Sequence, residues 1–314
     1  MIPDLLQIDT LRGPFTARSA GDRRHPVALC LHGYADDAGT FDELLDWLAG
    51  HGFRAVAPYR RGYAPSPVRT PSGERDPVET AARDVLAIAD KLAPGKPVWI
   101  VGHGFGAVAG YRAMALAPER FDRAVMLAAG HPGLRGGWWS RQWNAVRSRF
   151  AARTDYPDVG KLWRQWSPGW EPSASRLAEV RQTLAASWPA PLAEGRCRGF
   201  ESDIGMIRTP TLQLIGDRDP IYGPNAAVGQ ERFFTGPFRV EVVPGVGRFP
   251  HLEQPKAVIH QVIDWLVVPS GPVAARKKAG VRVAAEASFQ VPAHWGRVLS
   301  WRQPMPAEWS RFAG

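Results

Sequence analysis

The 314-residue sequence has little cysteine and no long apolar run, and both shortages narrow its class. Its two cysteines are Cys30, in an apolar stretch, and Cys197, in a basic one. They predict no disulfide framework of the kind that stabilises small secreted proteins. No apolar stretch approaches the ~20 residues that span a bilayer. The N-terminal residues also lack the basic start and apolar run of a signal peptide. We therefore expect a cytoplasmic protein that does not bind a membrane.

The sequence also lacks a block of like charges, a metal-binding motif and a nucleotide-binding loop. Lys and Arg exceed Asp and Glu by 39 to 30, but these basic residues are scattered along the chain. A scattered excess favours an arginine-rich surface over a nucleic-acid interface. The glycine-rich stretch GHGFGA at 102–107 does not have the G-x-G-x-x-G order, and no His, Cys or Asp set has ligand spacing. We expect no nucleic-acid partner, no metal and no cofactor.

What the sequence does contain is a regular alternation of short apolar runs and amphipathic stretches. Hydrophobic residues make up 45% of the chain, enough for a large core. Strands that alternate with helices predict a parallel sheet covered on both faces. The predicted strands are 26–32, 53–58, 98–101, 123–129, 211–216 and 238–245, and the predicted helices are 41–50, 78–92, 105–117, 174–187 and 255–266.

Two segments interrupt this alternation. Residues 131–205, rich in Trp, Arg and Pro, predict a helical cap inserted into a core formed by residues 1–130 and 206–268. Residues 269–314 form a predicted C-terminal extension that contains three tryptophans. Because exposed tryptophans are unfavourable, the extension could wrap around the body or reach the neighbouring subunit of a homodimer; it could also stay mobile.

Five motifs occur in an order and spacing typical of one family. They are LHGYADDAGTF, VAPYRRGYAPSP, VGHGFGA, PTLQLIGDRDP and GVGRFPHLEQP. With them, the sequence resembles the α/β-hydrolase-fold proteins, and in particular their epoxide hydrolase and haloalkane dehalogenase-like branch, over roughly residues 8–267. The resemblance implies an α/β fold with a mostly parallel sheet, flanking helices and an inserted helical cap.

The same resemblance implies a catalytic triad, from which two positions depart. The nucleophile position is Gly104, on a strained turn between a strand and a helix, and it has no side chain. The acid position matches Asp219. The position of the histidine base is Arg248, which cannot be a base near neutral pH because arginine has a pKa above ~12. The resemblance assigns an oxyanion hole to the backbone N–H groups of Tyr34 and Phe105. Covalent hydrolysis through the usual triad is therefore not expected.

Four histidines fall near the predicted pocket. His131 follows the strand 123–129, where some relatives place their acid, and we favour it as an alternative acid or base. His251 lies beside the position of the lost base, and His103 precedes the elbow, where it is a candidate for substrate binding. His32 belongs to the His-Gly loop, and a structural role is expected for it.

Aromatic residues predict a pocket for a flat, hydrophobic ligand. Trp138 and Trp139, beside two glycines, are expected at the edge of the lid, and Tyr59 could donate a hydrogen bond to a ligand. Trp163 and Trp166 have helical spacing and are expected to pack the cap on the body.

Two further groups of polar residues are open to a structural interpretation or a functional one. Asp36 and Asp37 follow the oxyanion loop, and such carboxylates more often cap a helix than catalyse. Where relatives often have Tyr-Tyr-Arg to hold an epoxide oxygen, this sequence has Arg-Cys-Arg at 196–198.

These features predict an enzyme of specialised metabolism that performs a lyase, isomerase or cyclase step on a hydrophobic small molecule. The oxyanion amides and Arg248 would stabilise negative charge, and Asp219 or His131 would move a proton. Two alternatives remain open at this point. One is an inert protein that binds a ligand or partner, and the other is a hydrolase in which His131 or His251 activates water.

Overall fold

The computed structural model describes residues 3–133, 158–191 and 204–267, together with the backbone of 282–283. By its contacts the chain divides into Met1–Val283 and Ala284–Gly314, and every described residue belongs to the first unit. The predicted lid residues Trp138 and Trp139, the Arg-Cys-Arg stretch at 196–198 and most of the C-terminal extension therefore lie outside the described residues.

A single mostly parallel sheet organises the described residues. Its strand order is β1-β2-β4-β3-β5-β6-β7-β8-β9, with β1 and β2 antiparallel at one edge and β3 to β9 parallel. The sheet confirms the predicted fold class. The strands are Asp4–Thr10, Gly13–Ala20, Val27–Leu31, Arg54–Pro58, Val98–His103, Phe121–Leu127, Thr211–Gly216, Phe238–Val243 and Arg282–Val283.

Helices cover both faces of this sheet, as the buried parallel strands require. Helices α2 and α3 pack on one face and α1 and α7 on the other, each through an apolar stripe. Helices α4 and α5 come between β6 and β7 in the chain and share a third apolar cluster with the ends of β7 and β8. The helices are α1 Asp42–Gly50, α2 Pro77–Leu92, α3 Phe105–Leu116, α4 Val159–Trp166, α5 Ala174–Ser187, α6 Pro250–Glu253 and α7 Pro255–Val267.

Local capping sets where the two helices of the predicted cap begin. Asp158 accepts a hydrogen bond from the amide of Lys161 at the start of α4, and Ser173 accepts one from Arg176 at the start of α5. Both helices fall inside the segment predicted as a cap; the exact domain boundaries stay a prediction. Every helix in the described part of the chain is too short or too polar to cross a membrane.

Candidate active site

The turn between β5 and α3 keeps the geometry of an elbow around a residue without a side chain. Gly104 has φ +54° and ψ −118°, a conformation that other residues adopt only under strain. The helix after it approaches β3 so closely that a Cβ at Gly106 would lie 2.2 Å from the carbonyl oxygen of Leu31. The glycine at 106 is therefore required by the packing, whereas the glycine at 104 leaves the tip of the turn bare.

Replacing Gly104 by alanine is expected to lower the free energy of unfolding by about 1–3 kcal/mol. The new Cβ would be forced into the strained conformation and would lie 3.2 Å from Nη2 of Arg248, so that side chain must shift. Urea unfolding measures the change. The control is Gly50→Ala at the end of α1, where a Cβ meets nothing within 4 Å and where no loss is expected. Equal stability of Gly104→Ala and wild type would contradict the strain at this turn.

Arg248 lies beside the bare elbow, with its Nη2 3.2 Å from the point where a Cβ at residue 104 would lie. Its Nη1 donates to the carbonyl of Ala128 at 2.9 Å and to Oδ2 of Asp219 at 3.2 Å. Its guanidinium carbon lies 5.8 Å from the ring centre of Trp166. Among the described residues, neither Nε nor Nη2 has an acceptor, and Nη2 is the atom nearest to the elbow. One edge of the guanidinium is thus held in place and the other is turned towards residue 104.

Asp219 holds Arg248 from the protein side. Its Oδ1 accepts the amides of Ile221 at 2.7 Å and Tyr222 at 3.0 Å, and its Oδ2 accepts from Arg248. Burial raises the pKa of this carboxyl, and the nearby guanidinium and the two amides oppose that shift. Asp219 and Arg248 therefore form an ion pair, with both partners buried.

The loop predicted to carry one oxyanion amide lies next to the elbow. The Cα of Gly33 would be 3.6 Å from a Cβ at residue 104. Arg60 fixes this loop from below, since its Nε donates to the carbonyl of His32 at 2.6 Å and its Nη2 to that of Gly33 at 3.2 Å. The amide of Phe105 belongs to the first turn of α3, whose N–H groups have no partner within the helix. The neighbouring loop residue Tyr34 and Phe105 thus flank the bare position; their oxyanion role remains a prediction.

Helix α4 of the predicted cap contacts the loop that carries Arg248. The amide of Arg248 donates to the carbonyl of Trp166 at 3.1 Å and to Oγ of Ser167 at 2.9 Å. Trp163 donates through Nε1 to the carbonyl of Ala35 at 2.9 Å and packs on Phe249 with ring centres 4.5 Å apart. Both tryptophans are buried, in agreement with the packing role expected from their spacing.

His131 is held by backbone groups on both sides of its ring. Its Nδ1 accepts the amide of Gly133 at 3.1 Å, so Nε2 carries the proton and donates to the carbonyl of Gly205 at 2.9 Å. The ring stacks on Phe233 with centres 4.4 Å apart. These contacts fit a structural histidine, because the two nitrogens that acid–base chemistry would need are engaged. The proposed catalytic role is not supported by this geometry and stays a prediction.

Tyr59 and His103, both predicted to contact substrate, are buried in the protein body. Burial raises the pKa of the Tyr59 phenol, and the nearby Arg18 opposes that shift. His103 lies beneath the elbow, where its Nε2 donates to the carbonyl of Arg248 at 2.9 Å. Burial, with His251 and Arg248 nearby, holds the pKa of His103 well below its usual value. A direct substrate contact by either residue remains a prediction.

Asp36 and Asp37 connect the predicted oxyanion loop to α5, a helix of the predicted cap. Asp37 accepts the amide of Gly39 as a helix cap and the hydroxyl of Thr183 at 2.8 Å. Arg176 donates to carboxylate oxygens of both aspartates. Capping was expected, but Arg176 is a partner that sequence reasoning missed, because it is 139 residues or more away along the chain.

A match to a known protein family identifies the class of protein to which this site belongs. Residues 28–261 match the family model described as "Alpha/beta hydrolase family". The chain belongs to the alpha/beta hydrolase family. The match covers every motif on which the resemblance was based, from the His-Gly loop to the segment that contains Arg248. The predicted superfamily is therefore confirmed.

Two curated relatives of this alpha/beta hydrolase are epoxide hydrolases, which supports the predicted branch. The chain is 28% identical over 218 residues to "Epoxide hydrolase" of Caballeronia sordidicola, an alignment that covers 58% of this chain and 64% of the relative. It is 22% identical over 301 residues to "Epoxide hydrolase A" of Mycobacterium tuberculosis, covering 79% of this chain and 92% of the relative. The chain thus spans less than two thirds of the first relative and most of the second.

The solved structures support the fold of this alpha/beta hydrolase. Epoxide Hydrolase A from Mycobacterium thermoresistibile superposes with a TM-score of 0.70 at 19% identity. The superposition covers 84% of this chain and 98% of that chain. At this identity the similarity concerns the architecture, and the chemistry must be argued from the side chains of this chain.

Proposed function

We propose that this alpha/beta hydrolase performs a lyase, isomerase or cyclase step on a hydrophobic small molecule without a covalent enzyme intermediate. One observation carries the proposal: Nη2 of Arg248 lies 3.2 Å from the point where a side chain at residue 104 would begin. A guanidinium at that point donates hydrogen bonds and carries a positive charge, but it is not a nucleophile that could attack a carbon atom of the substrate. The chemistry it suits is stabilisation of a negatively charged oxygen.

The substrate oxygen would be bound between two kinds of donor. On one side is the free edge of Arg248, and on the other are the amides of Phe105, at the positive end of α3, and of Tyr34. Loss of one such donor typically slows a reaction about 10²–10³-fold. Asp219 positions Arg248 from behind, and its two amide hydrogen bonds keep the carboxylate fixed. An enolate or a phenolate is the class of intermediate that these groups fit.

Epoxide hydrolysis is the second candidate, because it is named for both curated relatives. In this chain it would need a nucleophile other than residue 104 and a base other than Arg248. His131 and His251 were the alternatives from the sequence. His131 is engaged at both ring nitrogens, and burial lowers the pKa of His251 to about 3. Neither is accessible as a solvent-facing base, which favours the first candidate.

The test uses phenylacetate as an aromatic anion and phenylacetamide as its neutral counterpart. We expect wild-type protein to bind phenylacetate, and Arg248→Met to weaken that binding about 10–100-fold, the loss typical of a charged hydrogen bond. Isothermal titration calorimetry measures the affinity of wild type and of Arg248→Met for each ligand. The control is Arg218→Met, an exposed arginine close to Asp219, which should leave the affinity unchanged.

Two results would contradict the proposal. One is equal phenylacetate affinity in Arg248→Met and wild type, with both proteins folded by circular dichroism. The other is turnover of styrene oxide in ¹⁸O-labelled water with label in the diol, which would establish the second candidate.

A further inference from the structure

Beneath the elbow, three buried side chains with metal-ligating atoms meet from three separate segments. Asp36 comes from the oxyanion loop, His103 from the end of β5 and His251 from α6. One ligand atom of each lies within 4.8 Å of those of the other two. All three side chains are nine-tenths or more buried.

Each of these side chains also has one buried polar atom without a hydrogen-bond partner among the described residues. These atoms are Oδ2 of Asp36, Nδ1 of His103 and Nδ1 of His251. Buried polar atoms are nearly always satisfied, and each one left unpaired costs about 1–3 kcal/mol. Three neighbouring side chains that each carry such an atom indicate a bound species that supplies the missing contacts.

The geometry points to a binding site for a divalent transition-metal ion, of the Zn²⁺ type, formed by Asp36, His103 and His251. Two imidazoles and one carboxylate are ligands that Zn²⁺ and its neighbours accept, with metal–ligand distances of about 2.0–2.2 Å. Ligands at these distances stand about 3.4 Å apart around a tetrahedral ion, so the three side chains close by up to roughly 1.5 Å on binding.

The opposite end of each ligand is already fixed, as in established metal sites. Nε2 of His103 donates to the carbonyl of Arg248 at 2.9 Å, which leaves Nδ1 as the lone-pair atom. Nε2 of His251 is 2.8 Å from the hydroxyl of Thr40. Oδ1 of Asp36 accepts from Arg176 at 2.8 Å and from the amide of Asp37 at 2.8 Å. These contacts orient the side chains before the ion arrives.

The charged side chains around the cluster are compatible with one bound divalent cation. Burial lowers the pKa of both His103 and His251, so both rings are neutral and able to ligate at neutral pH. Arg176 and Arg248 add positive charge near the site. Arg176 is paired with the carboxylates of Asp36 and Asp37, and Arg248 is paired with that of Asp219. The ion would join the oxyanion loop to the segment that carries Arg248. This role is structural and does not depend on the proposed reaction.

The experiment titrates tag-free, full-length protein, stripped with EDTA, with CoCl₂ and then with ZnCl₂. We expect one Co²⁺ per chain with visible bands of a four- or five-coordinate ion, displaced by Zn²⁺, and no binding of Mg²⁺. His251→Gln should weaken Co²⁺ binding at least ten-fold. The control is His260→Gln, an exposed histidine of α7, which should bind as wild type does.

The wild-type protein alone also tests the site, in case His251→Gln does not fold. Crystals soaked in ZnCl₂ should give an anomalous peak between Asp36, His103 and His251. A water molecule in that place without anomalous signal would overturn the proposal, since a water also bridges polar atoms at this spacing. Unchanged Co²⁺ affinity in folded His251→Gln would overturn it as well.

Discussion

Asp219→Asn is expected to lower the free energy of unfolding by about 3–5 kcal/mol, the usual cost of leaving a buried charge without its partner. The substitution keeps an oxygen for the amides of Ile221 and Tyr222 and removes only the negative charge. The guanidinium of Arg248 then stays buried, with 8% of its side chain exposed and only the carbonyl of Ala128 as acceptor. Urea unfolding at pH 7 measures the loss.

Removing the other partner, in Arg248→Met, should lower the free energy of unfolding by less than Asp219→Asn does. This difference would identify the unpaired buried charge as the cause of the larger loss. In Arg248→Met the carboxyl of Asp219, whose pKa is already raised by burial, can take up a proton and keep its amide hydrogen bonds. The double variant should be more stable than Asp219→Asn alone, because no unpaired charge remains. Glu171→Gln, which breaks an exposed ion pair with Arg164, serves as control and should change little. A double variant less stable than both single variants would contradict this account.

The sequence predicts the fold well where apolar patterns are strong and locally complete. Strands β3, β4 and β7 are mainly apolar and buried at almost every position, and their predicted bounds agree with the structure to within a residue at either end. The hairpin of β1 and β2 was missed because its burial is uneven and its partner is β4, more than thirty positions away along the chain. Strand β9 has two residues, too few for any periodicity.

The sequence likewise predicted one part of the candidate site and missed another. Motif order was enough to place Gly104, Asp219 and Arg248 at one point, and the ion pair between the last two is formed. It was not enough to show that His131 is engaged by backbone groups, because Gly205 and Gly133 reach it only in the fold. The cluster of Asp36, His103 and His251 was missed for a related reason. Metal motifs are recognised by short spacing, and these residues are separated by 67 and 148 positions (103 − 36 and 251 − 103).

Arg176→Met is the second substitution with a large expected effect, a loss of about 3–5 kcal/mol in the free energy of unfolding. Arg176 extends from α5 to the carboxylates of Asp36 and Asp37, and all three side chains are about nine-tenths buried or more. In metal-free protein, its removal leaves two carboxylates close together without a counter-charge. It also removes the main polar link between the oxyanion loop and α5, so limited proteolysis should cut within Ala174–Ser187 more readily.

The pH dependence of this loss distinguishes charge from packing. Burial raises the pKa of Asp36 to about 6, and Arg176 opposes that shift, so the pKa rises further in Arg176→Met. The native variant therefore binds a proton at a pH where the unfolded chain does not, and its free energy of unfolding increases as the pH falls. The difference in free energy of unfolding between wild type and Arg176→Met should therefore become smaller as the pH falls from 7.5 to 5. Arg176→Lys should retain part of the stability. Arg181 is a half-exposed arginine on the same helix, and Arg181→Met should change the free energy of unfolding little. A loss of the same size at both pH values would assign the effect to the missing side-chain volume.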